Sequence, residues 1–180
     1  MKILRIIFQT IHVFVNRVRC KINAPKYFRS IGVRIGDNIH FYGPKPDMFS
    51  TEPWLVSIGN NCHITGGVRF ITHDAGTFTI KDEVGGFEIC GDIVVGNNVY
   101  IGEGTRIMPG VTIGSNVIIG AGSIVTKDIP DNVVGAGVPF KVSRTREEYI
   151  TKVKEIIAGN NPRYYSSLDK MYAKKNDNRR

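Results

Sequence analysis

A six-residue repeat constrains this chain more than any other feature of its sequence. Six hexapeptides follow one another without a gap from Val95 onwards, in the order VGNNVY, IGEGTR, IMPGVT, IGSNVI, IGAGSI and VTKDIP. The same register returns upstream, with interruptions near residues 43–52 and 76–88, at Ile35, Ile58, Ile64, Phe70 and Ile89. A short fixed period is the signature of a solenoid, in which each repeat packs on its neighbours along one axis.

The identity of the repeated positions predicts strands. Side chains alternate between the two faces of a strand, so the fifth position of one hexapeptide and the first of the next point the same way. Val99 and Ile101, or Val117 and Ile119, are such inward pairs, and Gly or Asn between the strands marks a corner. Because the chain turns every six residues, we expect a triangular prism of parallel strands with about three hexapeptides per coil.

The composition agrees with many short strands in a single domain. The chain of 180 residues holds 24 Ile and 18 Val but only three Leu, with 20 Gly to form tight corners. Three cysteines, Cys20, Cys62 and Cys90, are an odd number without paired spacing, so they predict neither a disulfide framework nor a zinc ribbon. A reducing compartment fits this pattern best.

Residues 1–30 form a separate basic segment. Polar side chains recur at helical spacing at Lys2, Arg5, Gln9, His12, Asn16 and Arg19, opposite a face of Ile, Phe and Val. Residues 3–15 are too short and too polar to span a bilayer core of about 30 Å. Two roles stay open: the apolar face packs against the body or a neighbouring subunit, or residues 1–22 lie on the anionic inner face of a membrane.

The uneven charge argues against a nucleic-acid partner. Residues 1–34 hold eight Lys or Arg and no acid, whereas residues 35–143 carry a net charge of −5. A nucleic-acid groove needs a contiguous cationic face, which an acidic body with basic ends does not provide. We expect a cytoplasmic protein, with peripheral contact at the inner face of the membrane as the alternative.

The C-terminal segment, residues 144–180, departs from the repeat. Thr145 and Glu148 form a predicted capping box, followed by apolar residues at helical spacing until Gly159. A second short helix after Pro162 and a frayed tail complete the prediction. We therefore expect an all-β solenoid over residues 31–143, with a loop insert at 76–88, between an N-terminal amphipathic helix and a C-terminal capping helix.

Residues 35–144 resemble the hexapeptide-repeat acyltransferases, most of all the sugar and polysaccharide O-acetyltransferases. The most specific stretch is IGAGSIVTKDIPDNVVGAGVPFKVSR, residues 119–144. The resemblance implies a left-handed parallel β-helix, acetyl-CoA as co-substrate and a homotrimer. It also implies six cofactor-binding residues: Glu103, Ala121, Thr126, Lys127, Lys141 and Arg144. Lys141 stands where some relatives have Arg, which keeps the positive charge but loses the bidentate fork.

His73 is the predicted general base. Transfer of an acyl group from a thioester to a hydroxyl needs a base for the hydroxyl proton. His73 occupies an outward fourth position in FITHDAG, directly before the insert, and the resemblance implies a catalytic histidine beside such a loop. An imidazole titrates near pH 6.5, which suits this task. Asp74, Glu88 or a backbone carbonyl would orient the ring.

Several functions remain open from the sequence. The Asn-His-Pro string and the N-terminal helical domain of the maltose and galactoside acetyltransferases are absent, which argues against a free oligosaccharide as acceptor. The basic amphipathic N-terminus favours a cell-surface glycan such as capsule, lipopolysaccharide or exopolysaccharide, or its precursor. The aromatic residues Phe41, Tyr42 and Trp54 are candidates for an acceptor site. N-acetylation of an amino sugar and acetylation of serine are the alternatives. A zinc enzyme like the γ-carbonic anhydrases would need His40, His63 and His73 to converge, so we predict no metal. A catalytically silent scaffold would be expected to lack His73.

Overall fold

The computed structural model describes residues 2–159, with side chains from residue 5 onwards. Four α-helices are described: α1 (Lys2–Ile22), α2 (Ala24–Ser30), α3 (Lys81–Val84) and α4 (Arg146–Ile157), with 3-10 turns at Pro53–Leu55 and Gly76–Ile80. Fifteen short strands are described: β1 (Arg34–Ile35), β2 (His40–Phe41), β3 (Val56–Ile58), β4 (His63–Ile64), β5 (Arg69–Phe70), β6 (His73–Asp74), β7 (Ile89–Cys90), β8 (Ile93–Val95), β9 (Tyr100–Ile101), β10 (Arg106–Ile107), β11 (Thr112–Ile113), β12 (Ile118–Ile119), β13 (Ile124–Val125), β14 (Val133–Ala136) and β15 (Lys141–Thr145).

The strands stack into three parallel sheets. The first sheet has the order β1-β3-β8-β11, the second contains β2-β4-β9-β12-β14, and the third has the order β5-β10-β13. From β8 to β13 the chain visits the first, second and third sheet in turn and then returns to the first. Three hexapeptides therefore complete one coil, as the repeat predicts, and adjacent coils lie about 4.8 Å apart.

The inward positions of the repeat form the core. Side chains at the first and fifth positions are at most 2% exposed at Val95, Val99, Ile101, Ile107, Val111, Ile113, Val117, Ile119 and Val125. Thr105 and Ser123 take fifth positions and are fully buried, and both hydroxyls donate to the Gly120 carbonyl. The buried hydroxyls are thus satisfied by the backbone of a neighbouring corner.

Asparagines line one corner because the backbone there is left-handed. Asn98, Asn116 and Asn132 have φ of 55°, 59° and 61°, a region that Asn tolerates better than most residues. The side-chain amide of each donates to the carbonyl oxygen of the next, at 3.1 Å and 3.0 Å. The fourth position of these hexapeptides therefore fixes both the turn and the stacking of coils.

The insert at 76–88 forms a projection between two antiparallel strands. In β6 and β7, His73 pairs with Cys90 and Asp74 with Ile89. The prediction that Ile89 begins an inward hexapeptide is wrong, since its side chain is 53% exposed. The physical reason is that β7 pairs with β6 and not with the prism, and the prism register resumes at Ile93, which is fully buried.

The C-terminal end adds a strand that the sequence did not predict. β15 runs antiparallel to β14 and covers the edge of the second sheet. α4 follows, and its predicted capping box of Thr145 and Glu148 is present. α4 contacts β14 and β15, and none of its residues is buried. The sheet edge is therefore covered by β15 rather than by the predicted capping helix. The helix predicted after Pro162 and the frayed tail lie outside the described residues.

The N-terminal helices sit at the opposite end of the prism. Phe28 of α2 is fully buried and packs edge-to-face on Phe41 and Phe49 of the first coil. α1 contacts α2, and most of its apolar side chains are exposed. Within residues 2–159, each helix falls short, in length or in hydropathy, of what a bilayer span requires.

Candidate active site

His73 leaves the prism at one edge of the third sheet. Phe70 and Thr72 point into the core and are fully buried, so the alternation of the strand turns His73 outward. Its side chain is 27% exposed. The loop before β3 stacks on this coil, because the Phe70 N–H donates to the Met48 carbonyl at 2.9 Å. Residues of the first interruption, 43–52, therefore face His73 from the preceding coil.

Glu52 is the partner of the His73 ring. Its Oε2 lies 2.7 Å from His73 Nδ1 and accepts the Thr72 hydroxyl at 2.6 Å, while Oε1 accepts the Thr51 hydroxyl at 2.6 Å. Burial would raise the pKa of Glu52, but the hydrogen bonds from Thr51, Thr72 and His73 outweigh it and lower the pKa to about 2. The carboxylate is thus ionised at neutral pH.

An ionised Glu52 fixes the tautomer of His73. A carboxylate only accepts, so Nδ1 carries the proton and Nε2 keeps its lone pair. The hydrogen bond to Glu52 raises the pKa of His73; burial opposes this, and the charges of Glu52, Glu88 and Asp74 add to it. The arrangement is that of a general base held by an orienting carboxylate.

The two carboxylates considered from the sequence, Asp74 and Glu88, take other positions around His73 than Glu52 does. Asp74 accepts the Gly76 N–H at 2.8 Å and so caps the start of the insert, while the ring bonds Glu52. The ligand atoms of Glu88, Glu52 and His73 all lie within 4.8 Å of one another. Sequence reasoning missed Glu52, which is 21 residues upstream of His73 and outside the repeat.

Three of the six predicted cofactor residues meet in one groove. Thr126, Lys127 and Lys141 line a surface groove of about 330 Å³ together with Phe140 and Val142. Asp128 also lines the groove, so its two lysines leave one net positive charge, which suits phosphate groups.

The other three predicted residues lie apart from this groove. Glu103 and Ala121 occupy adjacent coils at another corner, where the Gly122 N–H donates to the Glu103 carbonyl at 2.7 Å and Ala121 stacks on Gly102. Arg144 of β15 pairs with Val134 of β14.

The groove and His73 share one edge of the prism. Ile107 pairs with Phe70 on one side and with Val125 on the other, so the residues that follow these strands stack along the edge. The corner at Thr126 therefore lies two coils from His73, roughly 10 Å away. Gly110 occupies the coil between, and open space surrounds the position where a Cβ would stand. The edge is therefore open at Gly110 itself, while Gly91, whose N–H donates to the Thr72 carbonyl, stacks on the Gly110 backbone.

The remaining histidines of the prism belong to a different surface. His40 and His63 stack on adjacent strands of the second sheet with ring centroids 4.8 Å apart. His63 Nδ1 bonds the Tyr42 hydroxyl at 2.9 Å, and His40 Nε2 bonds Asn38 Oδ1 at 2.9 Å. In the described part of the chain, the potential ligands grouped with His73 are carboxylates, so the three-histidine arrangement of a zinc lyase is not assembled within one chain.

Exposed aromatic side chains lie on the two segments that flank the pair in sequence. Trp54 is 54% exposed two residues after Glu52, and Phe78 and Phe87 of the insert are about half exposed. The hydroxyl of Thr77 donates to the Phe87 carbonyl and ties the two ends of the insert together. Aromatic faces of this kind are suited to stacking on sugar rings.

Comparison with known proteins identifies relatives over most of the chain. The model of the bacterial transferase hexapeptide (six repeats) matches residues 92–127. Protein CapG of Staphylococcus aureus is 45% identical over 143 residues, which cover 79% of this chain and 83% of CapG. WbbJ of Escherichia coli, a putative lipopolysaccharide biosynthesis O-acetyl transferase, is 33% identical over 123 residues, covering 64% of this chain and 58% of WbbJ.

A solved structure extends these matches to the fold. A galactoside acetyltransferase in complex with coenzyme A matches with a TM-score of 0.53 and 28% identity, covering 77% of this chain and 84% of that one. The chain spans between 58% and 62% of the length of three further curated relatives, so the similarity concerns the prism more than their whole length.

Proposed function

The chain belongs to the hexapeptide-repeat acyltransferases and is an acetyl-CoA-dependent acetyltransferase, and we propose that it acetylates a hydroxyl of a cell-surface glycan or its precursor. The observation that carries the proposal is the pair of Glu52 and His73, with a hydrogen bond of 2.7 Å that leaves Nε2 free to act as a base. A base with its orienting carboxylate at a solvent-facing edge is what acyl transfer to a hydroxyl requires.

The proposed reaction is direct transfer in a ternary complex. His73 Nε2 takes the proton of the acceptor hydroxyl while the hydroxyl oxygen forms a bond to the thioester carbonyl carbon. Backbone N–H groups at the edge hold the resulting oxyanion. When the carbon–sulfur bond breaks, the imidazolium returns its proton to the departing thiolate. Glu52 stabilises the imidazolium throughout, since its carboxylate stays ionised.

The groove at Thr126, Lys127 and Lys141 is the proposed site for the phosphates of acetyl-CoA. The two lysines supply the charge, and the open edge at Gly110 leads from the groove towards His73. An extended chain advances about 3.3–3.6 Å per residue, so about three residue lengths span the separation of roughly 10 Å. This distance suits a slender arm that ends in a thioester. We further infer that Glu103, Ala121 and Arg144, which lie apart from this groove, contribute to acetyl-CoA binding between neighbouring chains of the oligomer rather than within one chain.

The proposed acceptor is a sugar of a glycan rather than a free oligosaccharide. Three observations support it: the exposed aromatic side chains of Trp54, Phe78 and Phe87, the missing Asn-His-Pro string, and the similarity to WbbJ, whose name refers to lipopolysaccharide. An insert with exposed aromatic faces offers an extended surface for a polymer.

We also propose a cytoplasmic homotrimer of left-handed prisms. Within one chain the edge that carries His73 faces solvent, and a neighbouring prism would close it into a cleft. The left-handed winding is the one expected of hexapeptide repeats. A cytoplasmic location gives access to acetyl-CoA.

Labelled acetyl-CoA offered with nucleotide sugars, lipid-linked glycans and free serine tests the proposal. We expect label on the glycans, with His73→Ala reducing turnover by at least about 10²-fold at nearly unchanged affinity for acetyl-CoA. Label on serine or on an amino group would contradict the acceptor, and full turnover in His73→Ala would contradict the mechanism.

A further inference from the structure

Helix α1 presents an apolar face that no described part of the chain covers. This face consists of Ile7, Phe8, Ile11, Phe14, Val15 and Val18, whose exposed fractions range from 39% to 72%. At 3.6 residues per turn these positions fall within an arc of about 120°. Six large apolar side chains on one arc form a continuous stripe, unlike isolated exposed residues, and such stripes are interaction surfaces.

The C-terminal part of α1 contacts the body through its opposite side. Cys20 is fully buried, Asn16 is half-buried, and the Arg19 guanidinium lies 5.7 Å from the centre of the Tyr27 ring. Turning the apolar face inward would withdraw Cys20 from the core. Within the described residues, this face does not pack against the body of the same chain, which is one of the roles that the sequence left open.

The charges beside the apolar face point to an anionic partner. Lys21 and Arg17 border the face on one side, and residues 1–34 contain no acid. Basic side chains at the edge of an apolar stripe reach from the acyl boundary to lipid phosphates. Two copies of α1 packed face to face would bring these like charges together, which costs free energy.

We propose that α1 lies in the plane of an anionic phospholipid surface. The apolar face inserts at the boundary of the acyl chains, and the bordering cations pair with lipid phosphates. This contact does not depend on acetyl transfer.

One consequence of the contact does rest on the proposed function. Phe28 packs on Phe49 and Phe49 on Phe70, each with centroids 4.7 Å apart, and Phe70 precedes His73 by three residues. A membrane-bound α1 thus holds the coil of His73 beside the bilayer, as an acceptor carried on a lipid requires.

Flotation of the full chain with vesicles tests the contact. One set of vesicles contains phosphatidylcholine and phosphatidylglycerol in equal amounts, and the other contains phosphatidylcholine alone. The variant Phe8→Glu with Phe14→Glu disrupts the apolar face, and Arg17→Glu with Lys21→Glu reverses the border. Ile157→Glu is the matched control, because Ile157 is 69% exposed on α4.

We expect the wild type and Ile157→Glu to float with the anionic vesicles and both double variants to bind at least about tenfold less. Acetyl transfer to a soluble acceptor should stay unchanged in all of them, which separates this test from that of the proposed function. A wild type that does not float, or a Phe8→Glu and Phe14→Glu variant that floats equally well, overturns the proposal. So does light scattering that shows this variant breaking a wild-type oligomer, since a second copy then covers the face.

Discussion

Two substitutions of Glu52 separate its charge from its role in orienting His73. In Glu52→Gln the amide oxygen takes the position of Oε2 and still accepts from the Thr72 hydroxyl and from His73 Nδ1. The amide nitrogen takes the position of Oε1 and donates to Thr51, whose hydroxyl rotates to accept. The ring keeps its orientation but loses the negative charge beside it. Glu52→Ala removes both the orientation and the charge.

The expected losses in kcat follow from this difference. General-base catalysis as a whole contributes about 10²- to 10⁴-fold. Loss of the charge alone should lower kcat by about tenfold, since the imidazolium is less stabilised while Nε2 still faces the acceptor. Loss of the orientation as well should lower kcat by about 10²-fold, because the ring then samples the unproductive tautomer. Glu52→Gln is therefore expected to lie between the wild type and Glu52→Ala.

The pH dependence gives a second readout of the same charge. The hydrogen bond to Glu52 raises the pKa of His73 above 6.5, against a smaller effect of burial. His73 is a base only when neutral, so kcat/KM is lost as the pH falls through this raised pKa. In Glu52→Gln the pKa falls back, and the acid limb of the profile moves to lower pH while the plateau drops.

Initial rates of CoA release between about pH 5 and pH 9, where an imidazole titrates, provide the assay. Asp74→Asn is the matched control, because Asp74 bonds the Gly76 N–H and contributes least to the raised pKa of His73. A limb that stays in place or moves to higher pH in Glu52→Gln would refute the pairing. A larger shift in Asp74→Asn would return the orienting role to Asp74.

Three further outcomes follow from the structure. A thiol reagent should label Cys90 alone in the native chain, since the other two cysteines are buried, and should block activity because Cys90 pairs with His73, the proposed base. Mass spectrometry that shows a buried cysteine labelled would contradict this. Lys141→Ala should raise KM for acetyl-CoA about fivefold at constant kcat, with Lys154→Ala unchanged, and equal effects on both would remove the groove from cofactor binding. Ile107→Ala should lower the free energy of unfolding by about 2–5 kcal/mol in urea titrations, and the 40% exposed Val94→Ala by under about 1 kcal/mol; similar losses would contradict the inward register.

Most of the prism was predictable because the information that specifies it is local. The residues of each hexapeptide specify its inward positions and its corner, and the next coil repeats both within about eighteen residues. Val99, Ile101, Val117 and Ile119 are buried as predicted because nothing outside the repeat competes for those side chains. The capping box of α4 was predictable for the same reason, since its two side chains are three residues apart.

Elements that depend on strand pairing outside the repeat were not predicted from the sequence. β15 contains Lys141, Ser143 and Arg144, which do not fit the hexapeptide pattern, yet its backbone pairs with the free edge of β14. Ile89 fits the hexapeptide pattern, but β7 pairs with β6 across the insert. In both cases backbone hydrogen bonds to a strand elsewhere outweigh the local pattern of side chains.

Glu52 was missed for a different reason, and the number of strands per coil shows how it can be found. A coil has three strands, but the first coil supplies only β1 and β2 before the chain returns to the first sheet at β3. The interruption at 43–52 therefore occupies the third side, and the Phe70 N–H bonds its Met48 carbonyl as it would bond a strand. Since the second interruption follows the third side of the next coil, both breaks in the repeat must stack at one edge. The number of strands per coil therefore places Glu52, at the end of the first break, at the same edge as His73, which precedes the second break.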